Sequence, residues 1–193
     1  MRIISGSLGG RRISPPSNMP YTRPTTDIAK EGLFNILQNN LDFEELKTLD
    51  LFGGTGSISY ELASRGVPDL TIVEKDNQMF SFIKKTAADL KLENVKLVKS
   101  DVFKFMESCH EKYDLIFAGP PYALTTIDDL PKLVFEKELL NTGGWFILEH
   151  TPRNDYKTFP HYLREKNYGT TIFTIFEKEG EEENDEERST ENL

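Results

Sequence analysis

Thr48-Leu-Asp-Leu-Phe52 is an apolar run of strand character that opens directly into the glycine loop Gly53-Gly-Thr-Gly56, with a helical pattern over residues 57–65 behind it. Working outward, the same alternation continues. Strands are predicted over residues 70–74, 95–98, 113–118 and 144–149, and helices over 77–90 and about 127–138. Upstream, Thr26 or Asp27 would cap a helix that carries Ala29, Leu33, Phe34 and Leu37 at helical spacing. Parallel neighbours need crossover connections, so five strands separated by helices imply a mostly parallel sheet with helices on both faces. That is a doubly wound α/β domain.

The end of the chain breaks the pattern. Residues 161–166 and 170–177 flank the turn-forming Asn167-Tyr168-Gly169, and the second run, Thr-Ile-Phe-Thr-Ile-Phe, is β-branched and aromatic throughout. It predicts an antiparallel hairpin closing the sheet, where a dehydrogenase-type fold would more often finish with another crossover.

The 193 residues suit a single domain, placed at 1–178, with residues 1–24 as an extension and 179–193 as a disordered acidic tail. Cys109 is the only cysteine, so no intramolecular disulfide forms. No signal-peptide core follows Met1 and no apolar run approaches membrane-spanning length, so a cytoplasmic monomer without a membrane partner is expected. The formal charge of −9 is uneven: residues 177–193 hold nine acids and two bases, leaving only −2 for the other 176 residues. Residues 1–35 are net +3, with Arg2, Arg11, Arg12 and Arg23 among their bases, and form the expected phosphate-facing segment. The bland alternative is a solvated arm.

A glycine loop at the carboxyl end of a first strand is where open α/β sheets bind ligands, although a tight turn would also use it. Glu74 ends the second strand, about twenty residues on, where a carboxylate can accept both hydroxyls of a ribose. Asp101 ends the third and could accept from an adenine amino group with Val102 packing on the ring; capping a helix is its alternative role. Ser59 stands where the dinucleotide fingerprint needs its third glycine, so a dinucleotide is disfavoured. The fourth strand, in Asp114-Leu-Ile-Phe-Ala-Gly-Pro-Pro-Tyr122, runs into a turn whose prolines fix the backbone. The Pro120 carbonyl could point at an amino group and Tyr122 could stack on a flat base. His110, His150 and His161 make no metal-ligand spacing with Cys109 or with acids, and no hydrolase triad is visible.

These motifs together resemble the RsmD-type family of bacterial small-subunit (16S) ribosomal RNA guanine-N2 methyltransferases, class I enzymes with a Rossmann-like sheet. The resemblance spans about residues 1–178 and rests on Arg2-Ile-Ile-Ser-Gly6 with Gly10-Arg-Arg12, Arg23-Pro-Thr-Thr-Asp27, Leu49-Asp-Leu-Phe-Gly-Gly-Thr-Gly56, Val73-Glu-Lys-Asp76 and the Pro-Pro-Tyr turn. It implies S-adenosylmethionine as methyl donor and ribosomal RNA, free or in an assembling small subunit, as partner. By position, Asp50, Phe52, Gly54, Gly56, Glu74, Lys75, Asp101 and Val102 would hold the donor. Gly119, Pro120, Pro121 and Tyr122 would form the catalytic turn.

The chain departs from the family at Gly119, where the pattern has Asp. An exocyclic guanine amine is a poor nucleophile because its lone pair is delocalised into the ring, and a carboxylate accepting its hydrogen bond helps by roughly 10²–10⁴-fold. Glycine cannot do this. The alternative reading is therefore a catalytically impaired protein that binds RNA and S-adenosylmethionine. By sequence no carboxylate is an obvious substitute, although Asp128 and Asp129 follow the turn.

Overall fold

The computed structural model describes residues 1–19 and 25–180. Arg23 and most of the acidic tail lie outside the described residues.

Five parallel strands form the centre: β1 (Lys47–Leu51), β2 (Asp69–Glu74), β3 (Val95–Lys99), β4 (Tyr113–Ala118) and β5 (Leu140–His150). The final hairpin, β6 (Tyr162–Tyr168) and β7 (Thr171–Glu177), joins antiparallel to β5 through β7, giving the order β3-β2-β1-β4-β5-β7-β6. The expected hairpin is thus present, with its second strand inserted inside the first. Helices α1 (Asp27–Asn40), α2 (Ser57–Ser64), α3 (Asn77–Asp89), α4 (Val102–Ser108) and α5 (Asp129–Glu136) fill the connections. The pattern reading assigned no α4, because seven residues are too few to show a helical period. No helix is long and apolar enough to cross a membrane among the described residues.

Strand periodicity divides the core into two layers. On β4, Leu115 and Phe117 face the layer that holds Leu33, Phe34 and Leu37 of α1, Ile58 of α2 and Ile83 of α3. Ile116 and Ala118 face the other, with Val102 and Met106 of α4 and Leu130 and Val134 of α5. Central strands buried on both faces must be apolar at nearly every position, which is why they read as unbroken apolar runs.

The N-terminal segment is more than the extension expected from its composition. Arg2 pairs with Arg12 in an antiparallel bridge, the Ile3 N–H donates to Arg11 O (2.9 Å) and the Gly10 N–H to Ile3 O (2.8 Å). Ile3 and Ile13 are buried in the α1–α2 layer, so this small hairpin belongs to the core. Its glycines and arginines mask two apolar anchors too sparse to show a period.

Candidate active site

All five parallel strands point their carboxyl ends the same way, and the motifs gather there. Leu51 pairs with Ala118, so the glycine loop after β1 and the Pro-Pro-Tyr turn after β4 leave the sheet side by side.

The loop is built for close approach. Gly54 and Gly56 hold φ of +58° and +83°, and Phe52 is also left-handed at +62°, a conformation that costs a non-glycine residue and clusters at functional sites. A Cβ on Gly56 would run into the Tyr60 ring, whereas one on Gly54 would meet only Phe52 O, at 3.8 Å. Open space above Gly54 is what a ligand cradle requires. Gly56 caps α2 without a side-chain acceptor, which leaves the amide donors of the first turn to a ligand or solvent.

Glu74 reaches into this loop. Its Oε2 accepts the Gly54 N–H at 2.8 Å and its Oε1 the Asp76 N–H at 2.9 Å, so the carboxylate fixes the loop while each oxygen keeps a lone pair for a further donor. Lys75 beside it is exposed. Asp50 is buried under the loop, and its Oδ2 accepts the Ser59 hydroxyl at 2.5 Å. Burial pushes its pKa well above the usual carboxylate range; the Ser59 hydrogen bond partly opposes this, and the charges of Glu74 and Glu149 add to it. Asp50 therefore sits as a support beneath the cradle.

Asp101 fills the capping role expected as its alternative, through one oxygen. Its Oδ1 accepts the N–H groups of Phe103 (3.0 Å) and Lys104 (3.2 Å), capping α4. Val102 is buried in the core among residues such as Met106, because the first turn of α4 faces the sheet.

At the turn, none of Pro120, Pro121 and Tyr122 follows a cis bond, and the Leu124 N–H closes it on Pro121 O at 2.9 Å. Tyr122 is among the exposed large side chains, consistent with a stacking platform. Gly119 does not use left-handed φ. A Cβ there would stand 3.2 Å from Oε2 of Glu149, the penultimate residue of β5.

Glu149 was not singled out from sequence, although it ends a predicted strand as Glu74 and Asp101 do. It is buried and accepts the Thr25 hydroxyl (3.1 Å to Oε2, 3.3 Å to Oε1), and the Tyr122 hydroxyl lies close enough to favour its charged form. Burial raises its pKa to about 7, against the opposing pull of those two hydroxyls. Asp128 is committed elsewhere, accepting the Tyr156 hydroxyl at 2.9 Å, and Asp129 lies exposed in the first turn of α5. Next to Glu149, His150 Nδ1 meets Thr151 O at 2.8 Å and must donate to it, which leaves Nε2 to accept from Thr174 Oγ1 at 2.7 Å. Burial lowers its pKa and keeps this bridge neutral. A cleft of about 490 Å³ lined by Tyr122, Thr151, Pro152, Arg153 and Thr170 opens beyond the turn. Arg153 is a cation at its wall that sequence reasoning did not select.

Of the predicted RNA-facing arginines, Arg11 and Arg12 are exposed on the N-terminal hairpin, whereas Arg2 Nε pairs with Asp27 Oδ2 at 3.3 Å. The hairpin adjoins the cradle: the Thr55 hydroxyl lies 3.5 Å from Met1 Sδ. Among the described residues no cluster could hold a metal ion.

The family model described as conserved hypothetical protein 95 matches residues 1–177. The chain belongs to this family, the RsmD family. It is 28% identical over 188 residues to ribosomal RNA small subunit methyltransferase D of Escherichia coli, covering 96% of this chain and 93% of that protein. The solved structure of a hypothetical protein from Thermus thermophilus superposes with a TM-score of 0.80 at 25% identity, covering 92% of this chain and 99% of the other. A Thermus thermophilus 16S rRNA N2 methyltransferase, RsmC, in complex with AdoMet and guanosine, gives a TM-score of 0.64 at 23% identity over 81% of this chain and 44% of its own, a likeness of fold alone.

Proposed function

We propose that this protein transfers a methyl group from S-adenosylmethionine to the exocyclic N2 of a guanine in small-subunit ribosomal RNA. One observation carries the reading: the glycine cradle with Glu74 and the Pro-Pro-Tyr turn emerge from adjacent parallel strands, bringing a donor site and a flat-base site together. Family membership and the methyltransferase relative support the same chemistry.

The cradle suits the donor. The space above Gly54 admits it, the uncapped start of α2 offers N–H groups to its carboxylate, and the spare lone pairs of Glu74 can accept its ribose hydroxyls. When bound, the donor supplies an activated methyl on a sulfonium. The protein's own part is placement: the turn directs the Pro120 carbonyl and the Tyr122 ring at an acceptor base that is splayed out of its helix or loop. Exposed Arg11 and Arg12 would hold phosphates beside it.

The test is methyl transfer from labelled donor to small-subunit ribosomal RNA and to the assembling particle, followed by nucleoside mass spectrometry. N2-methylguanosine is expected. Donor and RNA binding without any methylated nucleoside would favour the impaired reading, and a methylated adenine or protein amine would replace the acceptor assigned above.

A further inference from the structure

Resting on the reading above, the geometry points to Glu149 as the carboxylate that receives the acceptor amine in place of the aspartate absent at position 119. Gly119 and Glu149 continue from the paired residues Ala118 and Leu148 at the ends of neighbouring parallel strands, so their side-chain positions share one face of the sheet. Glu149 Oε2 lies 3.2 Å from where a Cβ at position 119 would be. A carboxylate therefore already reaches the space that an aspartate at position 119 would enter. Glycine puts no side chain between that buried oxygen and the turn, and any side chain at position 119 would crowd it.

The surroundings hold this carboxylate in place. Thr25 donates from the segment before α1, the Tyr122 hydroxyl lies near on the turn itself, and the Phe117 ring packs against Gly119. This gives a role to the Thr25 of the Arg23-Pro-Thr-Thr-Asp27 motif, which the donor and acceptor sites otherwise leave unexplained. The same residue that stacks on the base, Tyr122, would thus favour the charged form of the group that holds the base's amine.

In the transfer, the guanine N2 lone pair forms the nitrogen–carbon bond as the carbon–sulfur bond breaks, and sulfur keeps the bonding pair. The amine then carries one proton too many, and Glu149 accepts it. That requires the ionised carboxylate, and its raised pKa makes a fair acceptor near neutrality. The titratable groups facing it are the Tyr122 hydroxyl and, from β1, the Asp50 carboxyl. Thr25 and Phe117 bring no charge.

The experiment compares the full chain with Glu149→Gln, Gly119→Asp and their double variant, using ribosomal RNA and S-adenosylmethionine. Expected is a loss of about 10²-fold in kcat for Glu149→Gln, with donor affinity by calorimetry within twofold of the parent. The parent's kcat should rise with pH through about 7, and that step should vanish in Glu149→Gln. Adding Gly119→Asp to Glu149→Gln should restore most of the rate. Should the glutamine variant fold poorly, Glu149→Asp serves instead, slower by about tenfold with the pH step retained. A glutamine or aspartate variant as fast as the parent overturns the proposal. So does a parent that is inactive until Gly119→Asp is introduced, an outcome that leaves the methyltransferase reading standing. Inactivity of both parent and Gly119→Asp removes that reading and this inference together.

Discussion

Lys30 Nζ lies 3.7 Å from Glu61 Oε2, with both side chains almost wholly withdrawn from water. The ammonium also donates to Arg2 O (2.6 Å) and to Ser57 Oγ (3.2 Å). The carboxylate accepts the N–H groups of Ile4 (2.8 Å) and Ser5 (3.0 Å) and Arg65 Nε (2.9 Å). One buried pair therefore joins the N-terminal hairpin to α1 and to the helix that starts at the glycine cradle. Burial holds the Lys30 pKa below its ordinary value, with Glu61 as the main opposing influence.

Removing one partner of such a pair strands the other in a low-dielectric interior. Glu61→Gln should therefore lower unfolding stability by about 3–5 kcal/mol, and RNA affinity should fall because Arg11 and Arg12 ride on the same hairpin. Urea denaturation checks the first claim. A loss below about 1 kcal/mol would mean that the contacts to Arg2 and Ser57 suffice to hold the ammonium.

Glu149 should make stability and activity respond oppositely to pH. Its folded-state pKa, about 7, lies above the ordinary 4.5, so the folded protein keeps a proton that the unfolded chain releases. The stability this contributes is complete below about pH 4.5 and is lost as pH rises through about 7. Each pKa unit corresponds to about 1.4 kcal/mol. Asp50 is raised as well and acts in the same direction, while His150 is lowered and acts in the opposite one. The difference between parent and Glu149→Gln cancels the His150 contribution and all of the Asp50 contribution except the part that the Glu149 charge adds to it. Urea midpoints at pH 5 and pH 8 should show the variant gaining on the parent by about 2–3 kcal/mol at the higher pH; an equal offset at both would remove Glu149 as the source.

Glu74→Ala should weaken S-adenosylmethionine binding by roughly 1.5–3 kcal/mol, about 10- to 150-fold. Two effects combine: a charge-assisted acceptor for the ribose is lost, and the Gly54 and Asp76 amides lose the carboxylate that fixes the loop. Glu74→Gln keeps one amide acceptor and should fall between alanine and parent. Calorimetry giving the parent's affinity for both variants would place the ribose elsewhere.

The fold was legible because buried parallel strands must be apolar at nearly every position, so β1, β2 and β4 stood out against amphipathic helices. The cradle was legible for a similar reason: Gly54 and Gly56 adopt left-handed backbone that other residues avoid, and Glu74 lies at the second strand's end. What stayed hidden depends on register. Gly119 and Glu149 are brought together by the pairing of β4 with β5, which shifts between Tyr113 and Leu115, and no local pattern forecasts that irregularity. Asp101 and Val102 were assigned to the donor from their strand-end position and from the family resemblance. The sequence did not show that a short helix begins there, with Asp101 as its cap and Val102 turned into the core.

The three described arginines of the N-terminal hairpin should contribute unequally to RNA binding. Arg11 and Arg12 are exposed, whereas Arg2 would have to surrender its contact with Asp27 to meet a phosphate. Exposed ion pairs are worth little, about 0–1 kcal/mol, but they compete directly for the same guanidinium. Replacing Arg11 and Arg12 together by Ala should reduce the slope of log affinity against log salt by about 1.4–1.8, the release expected from two phosphate contacts. Arg2→Ala should change it by less than about 0.5. Fluorescence anisotropy titrations of a ribosomal RNA fragment across a salt series measure both. If the double variant kept the parent's slope, the hairpin would not face the phosphates, and Arg153 in the wall of the cleft beside Tyr122 would become the surface to test.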